Sequence, residues 1–249
     1  MEKYILKEAL INNEQVVGGF LSLNNTSIVE MMGYSNFDFV VIDNEHGAFS
    51  EVDIAEIIKV SKYVGITPIV RTVKKSEAIQ KVLDSGAHGI QVPMINNESE
   101  ARFVVQCALF PPKGKRGVSY SIPAAKYGLY SGKEYLDYTN NHLAIAIQIE
   151  TEEAVNNIEN ILTVEDIDII FIGKTDLSIN LGLDVHSLEF NEILENLITK
   201  IKTNNKKIGL VTSDVHTTKD SINQDIDYTV VVMNSIITKA MKEITSLKE

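Results

Sequence analysis

A chain of 249 residues with 44% apolar and 23% charged residues has the length and composition of a globular α/β protein, as one large domain or two small ones. Its formal net charge of −11 argues against nucleic acid and anionic membrane surfaces as partners. The single cysteine, the lack of an apolar leader and the absence of any run near the ~20 apolar residues of a membrane span predict a cytoplasmic protein.

Eight short β-rich runs, each followed by a helical pattern, are the predicted strands. In chain order they cover residues 16–21, 37–43, 67–71, 89–93, 143–150, 167–173, 207–212 and 228–233. Several contain wholly apolar stretches, such as 40–42 and 230–232, which are typical of parallel strands covered on both faces.

The intervening helices are predicted from apolar spacing. The clearest stripe has apolar residues at 190, 193, 194, 197, 198 and 201, and a similar pattern occurs at 54, 57, 58 and 64. Gly65 and Gly86 lie where helices are expected to end. Eight strands alternating with helices predict an α/β fold, a (β/α)8 TIM barrel formed as a single domain over residues 1–249. A doubly wound open sheet is the alternative.

In such a barrel the functional site lies at the carboxyl ends of the strands. These ends are strongly polar here, at 43–46, 71, 91–94, 148–150 and 173–176. At the end of the second strand, a hydrogen bond between His46 and Asp43 would fix the imidazole tautomer and raise its basicity, as a general base requires. The alternative is a turn that Asp43 caps. Glu45 is expected either to orient a bound water or to support the neighbouring residues.

Arg71 closes the third strand and is one of only three arginines. Its planar guanidinium suits a substrate carboxylate or a developing enolate oxygen. An ion pair with Asp43, or with another acid at the barrel mouth, is the structural alternative.

Glu150 and Asp176 follow the fifth and sixth strands, so a barrel brings both carboxylates to the same end. Oxygen ligands of this kind suit Mg²⁺ or Mn²⁺, with Co²⁺ as a further candidate. The alternative is that the two stretches containing Glu150 and Asp176 only provide N-caps for the helices that follow, because Asp and Thr are good N-cap residues.

Gly173, Lys174 and Thr175 resemble the end of a phosphate-binding loop. Asp168 stands where that loop requires glycine, so nucleotide binding is not expected. A glycine before a helix still leaves backbone N–H groups that can bind a substrate carboxylate.

The basic segment 111–117 is either a plain loop or a positively charged lid over the barrel mouth, and the sequence leaves both open. The remaining histidines, at 88, 142, 186 and 216, have no metal-ligand spacing and are expected to lie at the surface or to have their hydrogen bonds satisfied within the fold.

The residues around the strand ends resemble those of the HpcH/HpaI aldolases, the metal-dependent group of the phosphoenolpyruvate/pyruvate barrel superfamily that includes citrate lyase β-subunits. The matching segments occur in order between about residues 16 and 185, at 37–47, 70–71, 82–87, 92–94, 110–118, 148–154 and 171–178.

This resemblance implies a class II aldolase without a Schiff-base lysine. Glu150 and Asp176 would hold the divalent metal, Arg71 would stabilise the enolate oxygen, and His46, held by Asp43, would relay a proton. The 2-oxo acid would bind near Gln148, with its carboxylate on the backbone of Gly173, Lys174, Thr175 and Asp176. The resemblance also implies a homo-oligomer, commonly a hexamer.

The chain departs from the family pattern at three places. Lys174 occupies a position that is usually proline, which adds a cation beside the metal site and suggests a more highly charged anion than pyruvate with a neutral aldehyde. The last strand lacks the usual Gly and Asp, and residues 72–75 lack the usual aromatic residue.

Three hypotheses follow. The first is a lyase or synthase that acts through the enolate of a 2-oxo acid, pyruvate or oxaloacetate, with an aldehyde acceptor. The second uses the same site for a citrate synthase-like condensation of oxaloacetate with acetyl-CoA, as in siderophore biosynthesis, and is motivated by Lys174 and the basic loop. The third is a binding barrel that has lost catalysis, although the residues expected for catalysis are all present.

Overall fold

The computed structural model describes residues 5–248, apart from the side chain of Ile5. The strands are β1 (Val16–Leu21), β2 (Phe39–Asp43), β3 (Thr67–Arg71), β4 (Gly89–Val92), β5 (Ala144–Ile149), β6 (Ile169–Ile172), β7 (Lys207–Thr212) and β8 (Tyr228–Val232). They form a closed parallel barrel in sequence order, with β8 paired to β1. The prediction of a (β/α)8 barrel is confirmed, and the open-sheet alternative is wrong.

Helices connect the strands around the outside of the barrel. They are α1 (Ile5–Ile11), α2 (Thr26–Tyr34), α3 (Glu51–Tyr63), α4 (Ser76–Asp84), α5 (Glu98–Ala108), α6 (Gly132–His142), α7 (Glu152–Asn156), α8 (Ile158–Leu162), α9 (Lys174–Leu181), α10 (Leu188–Thr203), α11 (Val215–Asn223) and α12 (Met233–Ser246), with a 3₁₀ turn at Pro123–Gly128. Within the described residues 5–248, no helix has the length and apolar character needed to cross a membrane.

Alternation along the strands divides the core into two layers. Side chains such as Val40, Ile42 and Val70 pack outward against the helices, whereas Phe39, Val41, Ile69, Phe171 and Tyr228 fill the barrel interior. Both faces of each strand are therefore buried, which explains the nearly continuous apolar runs in the sequence.

The helix predictions hold where a packed face produces the pattern. In α10 the stripe buries Phe190, Leu197 and Ile201, and Ser187 caps the helix by accepting a hydrogen bond from the backbone N–H of Phe190. Gly65 and Gly86 have φ values of +83° and +99°, a left-handed conformation that favours glycine and ends α3 and α4.

The basic loop 111–117 lies at the amino-terminal end of the barrel, opposite the predicted site. Lys113 pairs at 2.7 Å with Asp166, which precedes β6, and Arg116 pairs at 2.7 Å with Asp84 at the end of α4. Arg116 is buried and also stacks over Phe110. Of the two interpretations left open by the sequence, the plain loop is correct and the lid is wrong.

Candidate active site

The strand register brings the predicted site residues together at the carboxyl ends of the barrel. Asp43 is paired in register with Arg71, and Arg71 with Gln91. A cavity of about 190 Å³ opens here. Its polar side chains are Ser22, Asp43, Arg71, Gln148 and residues 174–176, and the rest of its lining is Gly173 with the apolar residues Phe20, Phe171, Val211 and Val232.

Arg71 is fixed by acids on the neighbouring strand end. Its Nε donates to Oδ1 of Asp43 at 2.9 Å, its Nη2 lies 2.7 Å from the same oxygen, and its Nη1 lies 3.2 Å from Oε2 of Glu45. The guanidinium also lies over the ring of Phe20, 4.6 Å from its centre. The ion pair offered as the structural alternative is therefore present, and the guanidinium still has N–H groups for a ligand in the cavity.

The predicted hydrogen bond between the His46 imidazole and Asp43 is not formed. Oδ1 of Asp43 instead accepts from the backbone N–H groups of Glu45 and His46, at 3.2 Å each, in addition to Arg71. The imidazole is largely exposed, and its Nε2 lies 3.9 Å from Oε2 of Glu45. Asp43 thus anchors Arg71 and the turn, because a guanidinium presents more donors to a carboxylate than an imidazole does. Glu45 is the acid beside His46.

Glu150 is buried at the end of β5 and has both carboxylate oxygens hydrogen-bonded. Oε2 accepts from Nε2 of Gln148 at 2.7 Å, and Oε1 accepts from the backbone N–H of Met94 at 2.7 Å. Burial raises its pKa, the two hydrogen bonds lower it, and the nearby negative charges of Asp176 and Glu45 raise it further.

The helix-capping interpretation does not account for either carboxylate. Thr151, not Glu150, caps α7 by accepting from the backbone N–H of Ala154 at 3.1 Å. The N-cap position of α9 is Gly173, which has no side chain, and Asp176 lies exposed in the first turn of that helix. Neither acid is therefore used as a helix cap, and Asp176 lines the cavity at the barrel mouth.

Gly173 allows the two strand ends to approach closely. A Cβ atom at this position would lie 2.7 Å from Oε2 of Glu150 and 3.0 Å from its Cβ. After it, α9 begins with backbone N–H groups that have no side-chain cap. Thr175 is exposed beside them. This is the backbone predicted to bind a carboxylate.

Lys174 lines the cavity as predicted. Burial lowers the pKa of its ammonium group. Within residues 5–248, Lys174 has no hydrogen-bond or ion-pair partner in the protein, so its charge faces the cavity without compensation. This arrangement suits an anionic ligand.

Gln148 lies in the cavity wall, but its side chain is engaged by its neighbours. Its Oε1 accepts from Nε2 of Gln91 at 2.9 Å, and its Nε2 donates to Glu150. Sequence reasoning placed Gln148 beside the substrate and assigned no role to Gln91. The contacts of Gln148 show that its side chain orients Glu150.

Sequence reasoning also missed two contacts around these residues. Met94 adopts a φ of +58°, uncommon for a non-glycine residue, and this turn directs its N–H toward Glu150. Phe20 forms the surface under Arg71. Phe20 lies near the end of β1 and was identifiable by the rule that identified the other residues, whereas the Met94 contact depends on backbone conformation.

The negative charge and the oxygen ligands of the site suit a hard divalent cation. Among residues 5–248 no cluster of three or more His, Cys, Asp or Glu side chains forms a closed metal site. Two carboxylates, Glu150 and Asp176, are sufficient for Mg²⁺ or Mn²⁺, since these ions commonly take one or two protein carboxylates and complete their shell with water and substrate. Burial is the main cause of the raised pKa of Glu150, and repulsion by Asp176 and Glu45 adds to it; a cation would relieve this repulsion.

The family model for HpcH/HpaI aldolase/citrate lyase matches residues 17–228. The chain belongs to the HpcH/HpaI aldolase/citrate lyase family. A 2-keto-3-deoxy-L-rhamnonate aldolase of Salmonella paratyphi B is 32% identical over 212 residues, covering 84% of this chain and 79% of that protein. This HpcH/HpaI family protein is an aldolase-type lyase, so the hypothesis of a barrel without catalysis is not retained.

Two solved structures superpose over almost the whole chain. The HpcH/HpaI aldolase of Desulfitobacterium hafniense DCB-2 has a TM-score of 0.90 and 26% identity, covering 98% of this chain and 96% of that one. Citrate synthase SbnG has a TM-score of 0.87 and 25% identity, covering 99% and 98%. The fold is thus shared by an aldolase and by a citrate synthase.

Proposed function

We propose that this HpcH/HpaI protein is a divalent-metal-dependent aldolase that makes or breaks a carbon–carbon bond through the enolate of a 2-oxo acid, pyruvate or oxaloacetate. The observation that carries the proposal is the convergence of two acids at one end of the barrel. Asp176 lines the cavity together with Arg71, and Glu150 is buried against the cavity residue Gly173, where the negative charge of Asp176 helps to raise its pKa. Neither acid caps a helix. The negative charges of Asp176 and Glu45 act on Glu150.

In this proposal Glu150 and Asp176 hold Mg²⁺ or Mn²⁺, with Co²⁺ as a further candidate. A bound cation supplies Lewis-acid stabilisation of the charge that develops on the keto oxygen. The backbone N–H groups of residues 173–176 bind the substrate carboxylate, and Gln148 forms the adjacent wall.

Arg71 stabilises the enolate oxygen with the N–H groups that Asp43 and Glu45 leave free. Its rigid attachment to these acids means that no reorganisation is needed as charge develops. His46 relays the proton, and Glu45 is the acid that lies beside its imidazole. Asp43 contributes by holding Arg71 and the turn that carries His46.

The simplest test uses the reaction named for the Salmonella relative, 2-keto-3-deoxy-L-rhamnonate aldolase. Purified protein is incubated with 2-keto-3-deoxy-L-rhamnonate and related 2-keto-3-deoxy sugar acids, and released pyruvate is measured with each of Mg²⁺, Mn²⁺ and Co²⁺. We expect metal-dependent pyruvate release that Glu150→Ala abolishes. Glu153→Ala, an exposed acid on the next turn, is the matched control and keeps wild-type activity. Activity that persists in Glu150→Ala with chelator present contradicts the mechanism.

A second candidate is the condensation of oxaloacetate with acetyl-CoA to a citrate-type acid. Lys174 favours it, because an uncompensated cation at the cavity suits a second carboxylate, and the superposition on citrate synthase SbnG supports it. The basic loop 111–117 no longer supports it within one chain, since this loop lies at the other end of the barrel. Release of free CoA from the two substrates supports this reaction, and none with any of the three metals refutes it.

We also propose a cytoplasmic homo-oligomer, a hexamer by family analogy. No side chain of α12 is fully buried within the chain, and Met241 and Ile244 on this helix, with Leu247 just after it, are exposed. Sedimentation equilibrium of the full chain distinguishes a hexamer from a monomer.

A further inference from the structure

A line of buried polar side chains crosses the barrel interior and ends at Glu150. The hydroxyl of Tyr228 on β8 donates to Oε1 of Gln91 on β4 at 3.3 Å. Nε2 of Gln91 donates to Oε1 of Gln148 at 2.9 Å, and Nε2 of Gln148 donates to Oε2 of Glu150 at 2.7 Å. All four side chains are buried.

A contribution to stability does not explain why these polar side chains lie in the barrel interior. Buried polar groups cost free energy unless they are hydrogen-bonded, and apolar side chains of similar volume fill the same space without that requirement. The surrounding interior positions are apolar, among them Phe39, Ile69 and Phe171. We therefore expect these side chains to serve Glu150, the residue at the end of the line.

The direction of every hydrogen bond in the line is fixed by Glu150. An ionised carboxylate only accepts, so Gln148 presents its amino group to it and turns its carbonyl to Gln91. Gln91 must then present its own amino group and turn its carbonyl to Tyr228, whose hydroxyl must donate. Burial raises the pKa of the Tyr228 hydroxyl well above its ordinary value, so it retains the proton that it donates.

We propose that Gln91 and Tyr228 are positioning residues that act through Gln148 to hold the Glu150 carboxylate in the orientation that binds the divalent cation. The inference rests on the proposed function, because it takes Glu150 as a metal ligand. The line fixes Oε2 from inside the barrel, and the Met94 N–H fixes Oε1 from the mouth. Together they immobilise the carboxylate before a cation arrives.

The test measures Mn²⁺ binding to the full chain by the EPR signal of the free ion, without substrate. Tyr228→Phe removes only the hydroxyl and keeps the ring stacked on Phe39, whose centre lies 4.2 Å away. Gln91→Leu removes the middle of the line. Because loss of an indirect partner of a ligand typically weakens metal binding by about 10- to 100-fold, we expect about tenfold for Gln91→Leu and about threefold for the more distant Tyr228→Phe.

The decisive result is the double variant. If Tyr228 acts through Gln91, Tyr228→Phe has no further effect on the Mn²⁺ dissociation constant once Gln91 is leucine. A merely structural role gives additive losses or none, and either result overturns the inference. Tyr135→Phe, which removes another buried tyrosine hydroxyl outside the barrel interior, is the control and leaves Mn²⁺ binding unchanged.

Glu150→Gln separates this inference from the proposed function. If wild-type protein binds Mn²⁺ no better than Glu150→Gln, the proposed function and the inference both fail. If Glu150→Gln loses binding while Gln91→Leu and Tyr228→Phe retain the wild-type affinity, only the inference fails. Tyr228→Phe is the gentler variant, and circular dichroism checks that each variant is folded.

Discussion

Within the described part of the chain, Lys174 places an unpaired positive charge in the cavity. Its ammonium group faces the cavity without a partner among residues 5–248, while Arg71 is held by two acids. A free cation of this kind contributes to binding only when the substrate carries a charge for it. Lys174 is therefore expected to select between anions rather than to perform chemistry.

Lys174→Met is predicted to raise the KM for a dianionic substrate such as oxaloacetate by about tenfold, since a hydrogen bond to a charged group contributes about 1.5 kcal/mol or more. The KM for pyruvate, which has one carboxylate, is predicted to change by less than about threefold. Steady-state kinetics of both substrates test the difference. Lys133→Met, an exposed lysine on α6, is the control. Equal effects on the two KM values would show that Lys174 does not interact with the second carboxylate of oxaloacetate.

Glu150 makes stability depend on pH in metal-free protein. Its pKa is raised by burial, so the folded protein binds this proton more tightly than the unfolded chain does. This group therefore lowers the free energy of unfolding as pH rises from about 4.5 through the raised pKa. Glu150→Gln lacks this titration, so its stability relative to the wild type is predicted to increase between pH 4 and pH 7.

Urea denaturation at a series of pH values, with chelator present, measures this difference. A relative stability that stays constant or falls over that range contradicts the assignment of a raised pKa to Glu150. Added Mn²⁺ is expected to stabilise the wild type and not the variant, because only the wild type binds the ion.

At the scale of elements, the approach of β5 to the start of α9 defines the site. Gly173 lies against Glu150 with no space for a Cβ. Gly173→Ala is predicted to displace the carboxylate and lower kcat/KM by about a hundredfold, as for a displacement of about 1 Å in a reacting group, while the protein remains folded. Kinetics and thermal unfolding check the two effects. Gly182→Ala, a glycine at the end of α9 with a φ of +67° and nothing near its Cβ, is predicted to affect stability alone.

The buried ion pair between Arg116 and Asp84 joins the basic loop to the end of α4. Arg116→Met is predicted to lower the free energy of unfolding by about 3 kcal/mol, at the low end for such pairs because the side chain of Asp84 is 21% exposed. The KM of the folded enzyme is predicted to stay unchanged, since the loop is remote from the cavity. Urea denaturation and kinetics test both statements, and a raised KM with unchanged stability would restore the lid interpretation.

At the scale of the whole molecule, the sequence sufficed for the barrel because burial on both faces of parallel strands leaves a clear apolar pattern. The site residues lie together because parallel strands all end on one side, which chain order alone predicts. The position of loop 111–117 was also predictable, since a segment between α5 and β5 lies at the amino-terminal end of a barrel.

Pairing among the site residues was not predictable from the sequence. Asp43 has Arg71 and His46 within reach, and the choice between them depends on strand register and side-chain conformation. In the line from Tyr228 to Glu150, Tyr228 and Gln91 are 137 positions apart and Gln91 and Gln148 are 57 apart. Contacts of this kind across a barrel have no local signal in the sequence.

The central claim is that the barrel mouth forms the enolate of a 2-oxo acid with help from a divalent cation. Exchange of the methyl protons of pyruvate in D₂O, followed by proton NMR with Mg²⁺, Mn²⁺ or Co²⁺, tests it before any acceptor is known. We predict exchange that requires the cation, stops with chelator and is absent in Glu150→Ala. Exchange that continues unchanged with chelator and in Glu150→Ala would contradict the account.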